Sequence, residues 1–200
     1  MLQRITKSVP FTEIRVAGFG GQGVILAATV IGKANALFQD GFATMTQSFG
    51  PEARGGSSSA QVILASEPIL YPYITRPDIL VVMSQEAYRK FVPELKPGGI
   101  LIVENELVDP GKLPPNVKAF GVPATRLAEE LGRKVVLNIV MTGFFGAVAN
   151  LLDPDALRQA VADSVPPALQ KLNLQAFDKG FAYGAEMPDV LVPELALETE

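Results

Sequence analysis

A chain of 200 residues, 48% of them hydrophobic and with a formal net charge of −4, can form one well-cored domain and has no electrostatic case for binding nucleic acid. It contains no cysteine and no histidine. That excludes disulfides, thiolate and imidazole metal sites, cysteine-held iron–sulfur clusters, and nucleophilic catalysis by cysteine or by a serine–histidine pair. If electrons or protons move in its reaction, most of the machinery has to sit on a cofactor or on another chain.

Residues 1–12 lack the apolar core and cleavage site of a signal peptide. The first strand is expected at 14–17, a short apolar run with β-branched residues. A helix at 22–38 follows, with Val24, Ile25, Ala28, Ile31, Ala34 and Leu37 recurring at helical spacing. A second strand is read at 41–47 and a third at 61–65, with a polar loop between them. The continuous apolar run at 78–83 has the character of a strand covered on both faces. A helix at 85–94 is stopped by Pro97-Gly98-Gly99, and strands at 100–104 and 117–122 follow. A short helix is expected at 125–131.

From residue 135 onward the strand pattern disappears, and 138–152, 154–161 and 168–185 read as helices. The stretch 135–152 carries no charge and approaches transmembrane length. Asn138, Thr142 and Asn150 interrupt it, and Gly143 and Gly146 suit close packing, so we read a helix buried in the core or against another subunit, and a cytoplasmic protein without a membrane role. The whole is an α/β architecture: a Rossmann-like mixed, mostly parallel sheet with helices on both faces and a helical C-terminal region. One domain is expected over 1–187, its sheet part about 12–122 and its helical part about 123–187. Residues 188–200 form an acidic tail containing Pro188 and Pro193.

Two segments carry chemistry. In Ile14-Arg-Val-Ala-Gly-Phe-Gly-Gly-Gln-Gly-Val24 an apolar strand runs into a glycine cluster and then a helix. Gly18, Gly20 and Gly23 fit the G-x-G-x-x-G spacing of dinucleotide sites, where glycines admit a phosphate close to the backbone and helix N–H groups face it. A nicotinamide site also needs an acid at the end of the second strand to hold the ribose. None stands there: Asp40 precedes that strand and Glu52 lies well after it. A tight turn without a ligand would explain some of these glycines, but Gly21 makes four around one turn, each at an entropic cost. Gln22 could donate its side-chain amide to a phosphate or cap the local backbone. The second segment is Thr46-Gln-Ser-Phe-Gly-Pro-Glu-Ala-Arg-Gly-Gly-Ser-Ser-Ser59. Its Arg54 could grip a carboxylate or phosphate; equally, Glu52 and Arg54 could be an exposed pair in a solvated hinge.

Gly18-Phe-Gly-Gly-Gln-Gly-Val24 followed by Thr46-Gln-Ser-Phe-Gly-Pro-Glu-Ala-Arg-Gly-Gly56 resembles the γ subunit of the 2-oxoacid:ferredoxin oxidoreductases, in wording most similar to the 2-oxoglutarate synthase branch. Pro77-Asp-Ile-Leu-Val-Val-Met-Ser84 and Leu95-Lys-Pro-Gly-Gly-Ile100 are similar too, and the likeness spans about 14–185. The resemblance implies a subunit of an enzyme that converts a 2-oxoacid to its acyl-CoA, CO2 and reduced ferredoxin. Thiamine diphosphate and iron–sulfur clusters would lie on partner α and β subunits or a ferredoxin-like δ subunit, with ferredoxin as electron carrier. It implies a coenzyme A site on this chain, with the backbone N–H groups of Gly20, Gly21, Gln22, Gly23 and Val24 facing phosphates. Arg54 would neutralise a phosphate or brace the α subunit near thiamine, oriented by Glu52. Gly55, Gly56 and Ser57 would let that loop pack close. No residue is a candidate for the chemical step, and none for a metal. The alternatives are a γ subunit that shapes the assembly without touching coenzyme A, and a free-standing NAD(P)-dependent oxidoreductase.

Overall fold

The computed structural model describes residues 8–49 and 57–187. Six strands form one sheet: β1 (Thr12–Phe19), β2 (Phe42–Phe49), β3 (Ser57–Ala65), β4 (Ile79–Val82), β5 (Ile100–Glu104) and β6 (Lys118–Val122), in the spatial order β2-β3-β1-β4-β5-β6. The neighbours β1, β4, β5 and β6 run parallel, whereas β3 is antiparallel to both β1 and β2. The expected mixed sheet is present, with the hairpin-like β2–β3 unit forming its antiparallel side. β4, reading Ile-Leu-Val-Val, is buried along its whole length, as a strand covered on both faces should be.

Strand ends differ from the expectation for a physical reason. β1 continues through Gly18 to Phe19, and β3 begins at Ser57, because Ala17, Gly18 and Phe19 pair in register with Ser59, Ser58 and Ser57. Backbone pairing holds these small polar residues in strands that their side chains do not advertise. Ser57, expected in a loop, is thus the first residue of β3.

Among the described residues there are six α-helices: α1 (Val24–Phe38), α2 (Gln85–Phe91), α3 (Ala124–Glu129), α4 (Leu137–Ala149), α5 (Pro154–Ser164) and α6 (Pro167–Ala185). The two faces of the sheet are covered unequally. Ile14, Val16, Val62, Ile79, Val81 and Ile102 pack against α1 and α4, with α5 and α6 outside them. Leu80, Val82, Leu101 and Val103 face the smaller cluster made by Ala87, Tyr88 and Phe91 of α2. Alternation along each strand sends successive side chains to opposite layers. α2 begins where Ser84 Oγ accepts from Ala87 N at 3.2 Å, and its Phe91 is followed by a 3₁₀ turn to Glu94.

The uncharged stretch is a core helix. Leu137 through Gly146 of α4 are all buried, and α4 crosses α6 at backbone contact. A Cβ at Gly143 would lie 2.1 Å from Phe177 O, and one at Gly180 would lie 2.0 Å from Val140 O. Among the described residues no helix is long and apolar enough to cross a membrane.

Candidate functional site

From β1 the chain passes through α1 to β2 at one edge of the sheet, and from β4 it passes through α2 to β5 on the other side. The C-terminal ends of β1 and β4 therefore flank a topological switch point, where open α/β sheets bind ligands. The glycine segment sits there. Gln22 N donates to Phe19 O at 3.1 Å, and Gly21 takes φ +95°, the hydrogen bond and third-position geometry of a type II turn. Gln22 then closes the switch point itself. Its Oε1 accepts from Phe19 N at 2.7 Å, and its Nε2 donates to Met83 O at 2.8 Å, just beyond β4.

Three of the four glycines have a stated structural reason. A Cβ at Gly18 would lie 2.5 Å from Gln22 Oε1, so Gly18 makes room for that side chain. Gly21 supplies the positive φ of the turn, with nothing within 4 Å of a built Cβ. Gly23 is the N-cap of α1 at φ 74°, and its Cβ would lie 2.3 Å from Asn138 Nδ2. Gly21 was the glycine that sequence reasoning held to be surplus to the turn; the turn itself requires it. Gly20 takes no positive φ and is exposed. Gln22 was expected to aim its backbone N–H at a ligand, but that group closes the turn and both ends of its side chain are engaged within the protein.

What remains open is the outer surface of the turn. Gly20 and Gly21 are exposed, and no acceptor among the described residues takes their N–H groups. α1 starts without a side-chain cap and without an acid in its first turn, so the partial positive charge of its N-terminus is unopposed locally. Backbone N–H groups around an unfilled space at Gly21 fit a phosphate. Val24 itself is buried at 2% exposure and begins α1. Ser57 lies at the same edge of the sheet, opposite Phe19. Arg54, Gly55, Gly56 and the accompanying Glu52 lie outside the described residues.

Three further polar side chains are engaged inside the fold; Asn138 was read only as an interruption of an apolar stretch, and Glu104 and Arg15 were not singled out from sequence. Asn138, in the first turn of α4, donates through Nδ2 to Gly23 O at 3.2 Å. Glu104, fully buried at the end of β5, accepts from the N–H groups of Glu106 (3.0 Å), Leu107 (2.6 Å) and Thr125 (3.0 Å), fixing the loop after β5 and the start of α3. Arg15, buried on the α2 face of β1, pairs with Glu94 and lies over the Phe91 ring at 4.6 Å. The signal for Glu104 was an acid closing an apolar strand run; for Arg15, a cation inside one.

A cleft of about 290 Å³ opens at the opposite edge of the sheet, lined by Thr12, Asp78, Lys96 and Gly98 among others. Lys96 Nζ is held there by Glu13 (2.6 Å) and Asp78 (2.8 Å), so its charge is answered within the protein. Among the described residues no group of three acids could hold a metal ion.

The family model described as pyruvate ferredoxin/flavodoxin oxidoreductase matches residues 13–183. The 2-oxoglutarate synthase subunit KorC of Methanocaldococcus jannaschii is 44% identical over 177 residues, covering 88% of this chain and 95% of that protein. The solved γ subunit of a keto/oxoacid ferredoxin oxidoreductase from Geobacter sulfurreducens superposes with a TM-score of 0.75 at 36% identity, over 86% of this chain and 98% of that one. The 2-oxoglutarate:ferredoxin oxidoreductase from Magnetococcus marinus, solved with 2-oxoglutarate, coenzyme A and succinyl-CoA bound, matches with a TM-score of 0.81 at 26% identity, over 92% of this chain and 32% of that larger chain. The chain belongs to the pyruvate ferredoxin/flavodoxin oxidoreductase family and is a γ-type subunit of a 2-oxoacid:ferredoxin oxidoreductase.

Proposed function

We propose that the chain serves a cytoplasmic 2-oxoglutarate:ferredoxin oxidoreductase and contributes the phosphate-binding part of its coenzyme A site. The observation that carries this reading is the turn at the β1–β4 switch point, where the N–H groups of Gly20 and Gly21 are unpartnered among the described residues and open space lies over Gly21. Gly20, Gly21, Gly23 and Val24 would offer backbone N–H groups to a pyrophosphate, with the uncapped start of α1 behind them. Gln22 holds the turn against β4 rather than touching the ligand. Arg54 would add positive charge for the phosphates of coenzyme A, the thiol that accepts the acyl group, with Glu52 orienting it and Gly55, Gly56 and Ser57 allowing close approach. The chain, having no cysteine or histidine, leaves thiamine diphosphate and iron–sulfur clusters to α and β subunits and, where one is present, a ferredoxin-like δ subunit. Its own contribution is to bind and orient the acyl acceptor.

The test is anaerobic purification of the chain with its native partners, followed by screening of 2-oxoacids for coenzyme A-dependent ferredoxin reduction, in wild type and Gly21→Val. The expected result is activity with 2-oxoglutarate and a raised coenzyme A Michaelis constant in the variant, because the added side chain occupies the open space and, at φ +95°, strains the turn that presents the N–H groups. Unaltered coenzyme A kinetics in the variant would remove the turn from the ligand site. One observation favours a second reading, a purely architectural subunit: Gly18, Gly21 and Gly23 each have a structural reason that requires no ligand. That reading predicts that coenzyme A leaves the turn's hydrogen exchange unchanged.

A further inference from the structure

Asn138 stands out in α4. Every neighbour from Leu137 to Gly146 is buried, and nearly all are apolar or small. Placing an amide at 3% exposure costs about 1–3 kcal/mol unless its hydrogen bonds are restored, and an apolar side chain would suit the core as well. Among the described residues, the cross-element bond Asn138 makes is from Nδ2 to Gly23 O, at 3.2 Å. Gly23 O is also the acceptor of the first helical bond of α1, from Ala27 N at 3.0 Å. The amide fills the space that a Gly23 Cβ would need. The backbone of α4 is itself tied at this point, since Thr142 Oγ1 donates to Asn138 O at 2.8 Å and the helix is locked against α6 one turn further on. The N-cap of α1, which lacks a side-chain cap of its own, is thus tied through Asn138 to the most deeply buried helix of the domain.

We infer that Asn138 is a positioning residue for coenzyme A. It holds Gly23 in its left-handed conformation, and so keeps the first N–H groups of α1 and the outer N–H groups of the turn aimed at a phosphate, without touching the ligand. This rests on the coenzyme A reading of the turn. The anion's binding then depends on a helix of the C-terminal region, 115 residues away in sequence.

The test uses the intact complex with Asn138→Ala and Asn138→Asp. The aspartate keeps the volume of the side chain but removes the donor and sets a negative charge beside the phosphate site. Both variants should raise the coenzyme A Michaelis constant about tenfold or more, corresponding to roughly 1.4 kcal/mol, with the larger effect in Asn138→Asp. The turnover number at saturating coenzyme A and the Michaelis constant for the 2-oxoacid should stay at their wild-type values. Hydrogen exchange of residues 20–26, measured without coenzyme A, should speed up in both. Gly21→Val, run in parallel, separates the two ways to fail. If Gly21→Val raises the coenzyme A constant while the Asn138 variants change neither that constant nor the exchange of the turn, the positioning role is overturned alone. If none of the three variants changes it, the coenzyme A reading falls and the inference with it.

Discussion

Alanine in place of Gly143 tests how closely α4 and α6 cross. The added Cβ would sit 2.1 Å from Phe177 O and 2.9 Å from Phe181 N, both backbone atoms of a packed helix. Neither can turn aside as a flexible side chain would, so the helices must part by about an ångström to restore van der Waals distance. Overpacking a core costs about 1–3 kcal/mol, and a backbone obstacle places this site at the upper end. Alanine returns roughly 1 kcal/mol in helix propensity, leaving a net loss of about 2 kcal/mol. For a domain of this size that is a fall in Tm of about 4–8 °C. Gly180→Ala should cost the same, since its Cβ would meet Val140 O at 2.0 Å, and the double variant should cost less than the sum because one separation relieves both clashes. Thermal melts followed by circular dichroism would measure this, with Gly98→Ala as a control that adds backbone strain at φ +79° but meets no atom within 4 Å. A Gly143→Ala Tm equal to or above wild type would refute the crossing geometry.

Glu104→Gln should destabilise the protein by roughly 1–3 kcal/mol in urea unfolding, because an amide cannot accept all three N–H groups that the carboxylate now satisfies; an unchanged midpoint would count against the network. Alkaline titration of stability is a further check. Burial pulls the Lys96 ammonium down, but its hydrogen bonds and charge attraction to Asp78 and Glu13 outweigh that and hold its pKa above the ordinary lysine range. Burial first, and Asp109 second, push the Tyr88 phenol up. Both folded pKa values are raised, so both contributions are complete below about pH 10 and are lost as pH rises through the folded values. Stability should fall in that window, and Lys96→Met should fall less steeply; an identical slope would exclude Lys96. Arg54→Ala should raise the coenzyme A Michaelis constant with thiamine content unchanged, and wild-type kinetics would take Arg54 out of the ligand site.

Much of this architecture was legible because its parallel strands are apolar runs. The read strand at 100–104 coincides with β5, and 78–83 contains β4, since both are buried on two faces and need no polar partner. The same logic explains what was missed. Ser57, Ser58 and Ser59 extend β3 through backbone pairing with β1, a register that hydropathy does not encode. The helix read from residue 22 begins at Val24, because Gln22 is drawn into the turn by its bonds to Phe19 and Met83. The tight turn between β1 and α1 was visible in the glycine spacing, but not the division of labour within it. Only the fold shows that Gly18 clears space for Gln22 and Gly23 for Asn138, because the second of those partners lies far along the chain. Asn138 was read as an interruption of an apolar helix, and its partner could not be named without α4 placed against α1.

The most direct test of the central claim is hydrogen–deuterium exchange on the assembled enzyme, with and without saturating coenzyme A and without 2-oxoacid. The account predicts slower exchange over residues 18–26, with the sheet interior unchanged. Identical exchange across that segment, in a complex whose activity shows that coenzyme A binds, would contradict it.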